Sequence, residues 1–448
     1  MIKRIKLGHI CRFLFAALFV FCVSAAAAPA HAQLVQQYFP ADIPGYSGNF
    51  GASVVNRMMM LNQTNGIQVG DFIIRPVVSE NAGYNSNVLG VSGSGSAEAE
   101  TSASVRVNSN WARDAIGASL SVDNHRYFAL PEASFTNWTA GVGGSVNLGN
   151  DIATVAYSHL NLNLSATDLG VFGVVTPAPY TVDDVRLSYQ KLFSRFSVTP
   201  LLEYESFNFG QSSGANVVNF DSLSHQTVIG GVTGRYNVSP GNAAVVILRT
   251  SDAQFSSQST GSSNNSYIDY AGFLGVDFRS DAVLQYRALF GAESRNFTQS
   301  TAATITAPVF ELDAIWLPSD LDTITATIAR RLDDPASPFA RNQTLFEGRL
   351  ELDHELRQNV FLTAYAALGK SDSQSNVAGV ASENETQEHF GVGARWYLTQ
   401  HVSASLSYGF SHSTASGNST VTTTTNTIET SSGSFTSNVI MVGVNLFE

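Results

Sequence analysis

Cysteine is almost absent. The 448-residue chain has two, Cys11 and Cys22, and both fall within its first 32 residues. Everything after that point is without disulfides, thiolate metal ligands or cysteine nucleophiles. Charge is scarce as well: Asp, Glu, Lys and Arg make up 13% of the chain, about half the share in an ordinary soluble protein. The charge present leans acidic, with 24 Lys and Arg against 36 Asp and Glu, which speaks against a nucleic-acid partner. Long apolar runs are missing too. Beyond the N-terminal region no stretch has the roughly 20 consecutive apolar residues of a spanning helix. Such a chain has one way left to meet lipid, a β-barrel whose strands are apolar at every second residue.

The N-terminus indicates export. "MIKRIKLGHICRFLFAALFVFCVSAAAAPAHAQ" carries Lys3, Arg4 and Lys6, then apolar residues 13–23, then Ala30-His31-Ala32. A basic region, a hydrophobic region and an A-x-A site predict a secretory signal peptide over residues 1–32, cleaved near Ala32. The apolar run is too short for a transmembrane anchor. Phe21 before Cys22 is too bulky for a lipoprotein signal. Cleavage removes both cysteines and four basic residues, leaving 20 basic against 36 acidic side chains, a net charge of −16.

What is there, from residue 72 to the C-terminus, is alternation. Ile116/Ala118/Leu120/Val122, Leu284/Tyr286/Ala288/Phe290 and Val402/Ala404/Leu406/Tyr408/Phe410 each place apolar residues on one face of a strand. Eighteen such segments can be counted. Two of them, 151–165 and 359–370, change phase. In the first, Val155 and Tyr157 share one face while Leu160, Leu162 and Leu164 share the other; a bulge near Ser158 would reconcile them. The terminal strand presents Val444, Leu446 and Glu448 in the apolar phase and puts Phe447 on the other face.

Connections alternate between tight turns ("WARD", "LGND", "SPGN", "SDLD") and longer polar stretches such as "SSQSTGSSNNS". The pattern predicts an all-β transmembrane antiparallel up-and-down β-barrel of about 18 strands, with short periplasmic turns and longer extracellular loops. Trp111, Phe193, Tyr236, Phe278, Trp316, Trp396 and Tyr397 flank the tight turns and are expected to form the periplasmic aromatic girdle. Residues 33–70, with Met58 to Met60, precede the barrel (71–448) as a periplasmic leader or a plug.

The opposite phase faces inward. It carries Arg106, Asp123, Arg186, Glu203, Arg235, Asp269, Arg287, Glu293, Arg295, Glu347, Arg349, Glu351 and Arg395, spaced by small residues such as Gly117, Ser119, Ser405 and Ser407. A barrel of this size is wide enough to hold water. Its charges either steer solute through a conduit or pair across strands and stiffen the wall. A single charge reads first as a cross-strand partner; the small, polar wall as a whole predicts a pore. The alternatives are a general small-solute porin and a structural or adhesive barrel without transport. Serine-, threonine- and asparagine-rich loops suit solvated tips better than adhesion.

Catalysis has little to support it. The histidines beyond the signal, His125, His159, His225, His354, His389, His401 and His412, show no G-x-S-x-G, H-E-x-x-H or Cys/His spacing. No catalytic residue, metal ligand or cofactor is expected, and an outer-membrane lipid hydrolase is disfavoured.

Gly70, Phe72 and Pro76 form a G-x-F-x-x-x-P opening. Gly83, Tyr84, Asn87 and Val88 follow, then a Trp111-x-Arg113 turn and Tyr127. This set resembles a family of outer-membrane β-barrel porins often associated with exopolysaccharide or capsule export. The resemblance covers about residues 66–165 and implies a porin-like channel in the outer membrane of a Gram-negative bacterium, with a polysaccharide exit as one role. It implies no catalytic residues. Expected partners are outer-membrane lipid, the barrel-assembly machinery and, on the export reading, periplasmic polysaccharide-export proteins.

Overall fold

The structure is a computed structural model. It describes residues 38–39, 43–46, 66–171, 176–212, 219–256, 264–279, 283–300, 302–338, 340–375, 382–416 and 434–448, together with the backbone of 418–422 and 427–431. The expected signal peptide and Met58 to Met60 lie outside the described residues.

The alternating segments become eighteen strands. The first six are β1 (Phe72–Asn85), β2 (Ser96–Ser109), β3 (Ala115–Tyr127), β4 (Phe135–Leu148), β5 (Asp151–Leu164) and β6 (Ala178–Leu192). Next come β7 (Phe196–Phe209), β8 (His225–Ser239), β9 (Asn242–Phe255), β10 (Tyr267–Phe278), β11 (Leu284–Phe297) and β12 (Ile305–Ser319). The last are β13 (Asp322–Asp333), β14 (Ala340–Arg357), β15 (Val360–Ser375), β16 (Glu383–Tyr397), β17 (Val402–Ser416) and β18 (Phe435–Phe447). Each pairs antiparallel with the next, and β18 returns to β1 with Val77 opposite Phe447 and Asn85 opposite Val439. The barrel is therefore closed, which satisfies every edge in a medium without water. Strands of 12 to 18 residues exceed the about 9–11 needed to cross a bilayer.

Connections of two to five residues alternate strictly with connections of six to eighteen. Both chain-terminal strands meet the short-turn end.

Burial is inverted relative to a soluble protein. Leu120, Leu187, Val232, Leu274, Leu406 and Val442 are exposed on the outer face, while Asp184, Asp269, Asp277, Arg295 and Gln387 are buried on the inner one. That is the partition a lipid-embedded wall around a polar interior requires. Trp111, Phe193, Tyr236, Trp316 and Trp396 are exposed beside the short turns, as a girdle demands.

Three expectations need correction. β5 has no bulge: its pairing runs unbroken from Trp138–Asn161 to Leu148–Asp151, and from Ile152–Gln190 to Leu164–Ala178. Leu160, Leu162 and Leu164 instead point inward and are fully buried under chain that enters the barrel. The second phase change has a different cause. Phe361 of β15 faces inward and packs on the wall residues Tyr397 and Phe447; β15 pairs with β16 without a register shift, while its pairing with β14 is irregular between Glu355 and Arg357, opposite Phe361 and Val360. Tyr397 is thus part of an inner aromatic cluster, with rings 6.1 Å from Phe361 and 5.6 Å from Phe447, and does not belong to the girdle.

Candidate functional site in the barrel lumen

The lumen is built by the wall and by chain folded into it. The connection after β5 turns inward, and Leu169 packs on Leu345 of β14 on the far side of the barrel. Gly170, at φ +75°, takes the backbone conformation that glycine adopts without cost. Its N–H donates to Glu385 Oε2 of β16 at 2.7 Å. Gln387 Nε2 donates to the Thr167 carbonyl at 3.1 Å and to Glu385 Oε1 at 2.7 Å, and Ser413 Oγ donates to the same oxygen. His389 continues the network, with Nε2 3.1 Å from Gln387 Oε1 and Nδ1 3.2 Å from Ser411 Oγ. Glu385, Gln387 and His389 hold this segment across the lumen. Nothing in their sequence spacing pointed to that role.

Two further segments enter. The connection after β13 places Ala336 in the apolar cluster of Leu160, Leu164, Tyr180, Phe209 and Phe220. Beside it, Asp334 accepts from Tyr267 Oη at 2.7 Å and lies 3.3 Å from His225 Nε2. Burial works against the charge of Asp334, but His225 and Arg295 outweigh it and hold the carboxyl well below the usual carboxylate range. From the N-terminal side, Tyr38 and Phe39 pack on the same cluster, and Ile43 and Tyr46 pack on Ala156. Tyr46 Oη donates to Asp184 Oδ1 at 2.8 Å. The Arg186 guanidinium lies beside the stacked Phe39 and Tyr46 rings, 4.5 and 4.6 Å from their centroids.

The open space among the described residues includes two cavities. One, of about 350 Å³, has mixed charge: Arg186, Arg249, Arg295 and Arg331 face Glu203, Glu205, Asp269 and Glu293. The other, of about 510 Å³, is lined by Glu98, Glu100, Asp123 and Asp168 and by the rings of Tyr38, Tyr127 and Tyr365, with no Lys or Arg among the described residues that line it. Thr167 and Asp168 border the second cavity, while Phe39 borders the first.

Most of the inward charges are paired. Asp269 and Arg295 are direct cross-strand neighbours with an Nη2–Oδ2 distance of 2.8 Å. Arg186 reaches Glu203 at 2.6 Å, Arg235 reaches Asp277 at 2.8 Å, Arg249 reaches Glu293 at 3.5 Å and Arg287 reaches Glu311 at 3.6 Å. Glu347 pairs with Arg331, and Arg349 pairs with Glu351 while stacking 4.0 Å from Tyr365. Asp123 borders the acidic cavity. Arg106 and Arg395 are exposed and line neither cavity. Of the histidines, His159 faces outward and pairs with Asp183 at 2.8 Å, with the Trp138 ring 5.0 Å away.

No curated protein matches the sequence. Among solved structures the chain is similar to Acinetobacter baumannii OccAB3, at 10% identity and TM-score 0.45, over 85% of this chain and all of that one. It is also similar to Pseudomonas aeruginosa OccK2 (OpdF), solved in complex with glucuronate, at 11% identity and TM-score 0.44, over 84% and 98%. The copper transporter OprC matches at 9% identity and TM-score 0.42, over 80% of this chain but 64% of its own length. The family described as "Putative beta-barrel porin 2" matches residues 62–446. A closed eighteen-strand barrel, apolar outside and charged within, bears out that match, and the chain is an outer-membrane protein belonging to the Putative beta-barrel porin 2 family.

Proposed function

We propose that the protein, freed of residues 1–32, is an aqueous channel for small polar solutes. One observation carries this reading: the inner wall buries ionised and hydroxyl groups around two cavities, an arrangement costly without water or polar solute. The family favours a channel over an enzyme. Exopolysaccharide exit, the other role the sequence resemblance raised, needs a continuous bore for a polymer. Thr167, Gly170 and Phe39 stand across that path, so polymer passage would require the inner segments to withdraw.

Liposomes containing the purified protein should swell in isosmotic monosaccharide or amino acid and fail to swell in oligosaccharide of several residues. Swelling that does not depend on solute size would reject a narrow channel. In the native cell, loss of the protein should leave surface polymer unchanged; polymer trapped in the periplasm would favour export.

A further inference from the structure

Asp184 on β6 and Glu203 and Glu205 on β7 bring one carboxylate oxygen each to within 4.8 Å of the others. Register causes this: Asp184 sits opposite Glu205, and Arg186 opposite Glu203. Among the described residues Arg186 is the cation paired with this group, 3.1 Å from Asp184 and 2.6 Å from Glu203, and no ion pair joins it to Glu205. Three carboxylates against one guanidinium leave an excess of two negative charges, and the Asp184 side chain is fully buried. Like charges this close destabilise one another unless a proton or a cation intervenes.

A second observation points to a ligand. Thr227 of β8 is opposite Glu205 in register and lines the same cavity as Glu203 and Glu205. It is 4% exposed, and its Oγ1 has no hydrogen-bond partner among the described residues. An orphaned buried hydroxyl is costly, and coordination to a cation would satisfy it.

We propose that Asp184, Glu203, Glu205 and Thr227 form a binding site for a hard divalent cation of the size of calcium. The donors are all oxygen, which selects calcium or magnesium over softer metals. Coordination habit separates the two. Calcium accepts several carboxylates at once in a flexible geometry, whereas magnesium demands a near-ideal octahedron and keeps several of its waters. Three carboxylates within 4.8 Å of one another, with a hydroxyl on the neighbouring strand, suit calcium. The ion would balance the excess charge and lock β6, β7 and β8 beside Tyr46, whose hydroxyl is bonded to Asp184. The site does not depend on the channel reading, since a silent barrel could still bind the ion.

Terbium alone is the probe, because the Tyr46 ring lies close enough to sensitise its luminescence. The full chain in detergent should show tyrosine-sensitised emission that calcium displaces at one ion per chain and magnesium displaces less well. Glu205→Gln should weaken calcium binding by at least about tenfold, as loss of a charged ligand does. Thr227→Val should weaken it less, with both variants folded by heat-modifiability. Absence of emission in the wild type would overturn the proposal, as would emission unchanged in Glu205→Gln, which would place the ion on other carboxylates.

Discussion

Replacing Arg295 by methionine should destabilise the folded barrel by about 3–5 kcal/mol, the usual loss when one partner of a buried ion pair is removed. Arg295 is 2% exposed and ties four groups together. Its Nη2 donates to Asp269 Oδ2 at 2.8 Å, and its Nη1 donates to Asn342 Oδ1 and to the Asp333 carbonyl, each at 2.9 Å. The guanidinium also lies 3.7 Å from the centre of the Tyr267 ring. Without it, Asp269 stays buried with no counter-charge, and the inward connection after β13 loses its fastening to β11. Adding Asp269→Asn to Arg295→Met should recover part of the loss, because one stranded carboxylate becomes neutral. Urea unfolding in lipid vesicles would measure both. A loss comparable to that of an exposed pair, below about 1 kcal/mol, would mean that water reaches the site freely.

The second large effect is on the outer face. Leu406→Arg, near the middle of the apolar band of β17, should cost about 2–4 kcal/mol and slow assembly. Ser407→Arg, one residue on, points into the lumen and borders the larger cavity, so it should assemble nearly as well as the parent. Leu274 on β10 gives the same outward test, with 65% of its surface exposed. Its neighbour Gly275, which alternation alone marks as a tolerant inner position, is a poor control. A Cβ there would overlap the Ala288 carbonyl oxygen and lie 2.8 Å from Leu289 Cδ2. Heat-modifiability on gels would report assembly, and equal defects at Leu406 and Ser407 would contradict a lipid/lumen alternation.

The wall was legible because lipid and water impose opposite demands on successive residues. Each of the eighteen alternating segments became a strand, and Phe447 falls on the inner face as its phase requires. The contents of the lumen were not legible. Leu160, Leu162 and Leu164 looked like a register fault because a polar interior was assumed. In fact they cover the underside of returning chain, and only contacts between distant segments reveal that. The inward charges could be placed on a face, but their partners could not. Arg295 with Asp269 and Arg186 with Glu203 follow from strand register, which turn lengths and closure set. Asp184, Glu205 and Thr227 converge for the same reason, from three strands with no motif between them.

Single-channel recording in planar bilayers tests the central claim most directly. A water-filled lumen narrowed by its own chain predicts a measurable ion conductance in the purified full chain, with a mild preference for cations from the carboxylate-lined cavity. Deleting residues 34–65 removes Tyr38, Phe39 and Tyr46 from the lumen, so conductance should then rise. If the full chain and the deletion are both correctly folded and both silent, the barrel is not a channel.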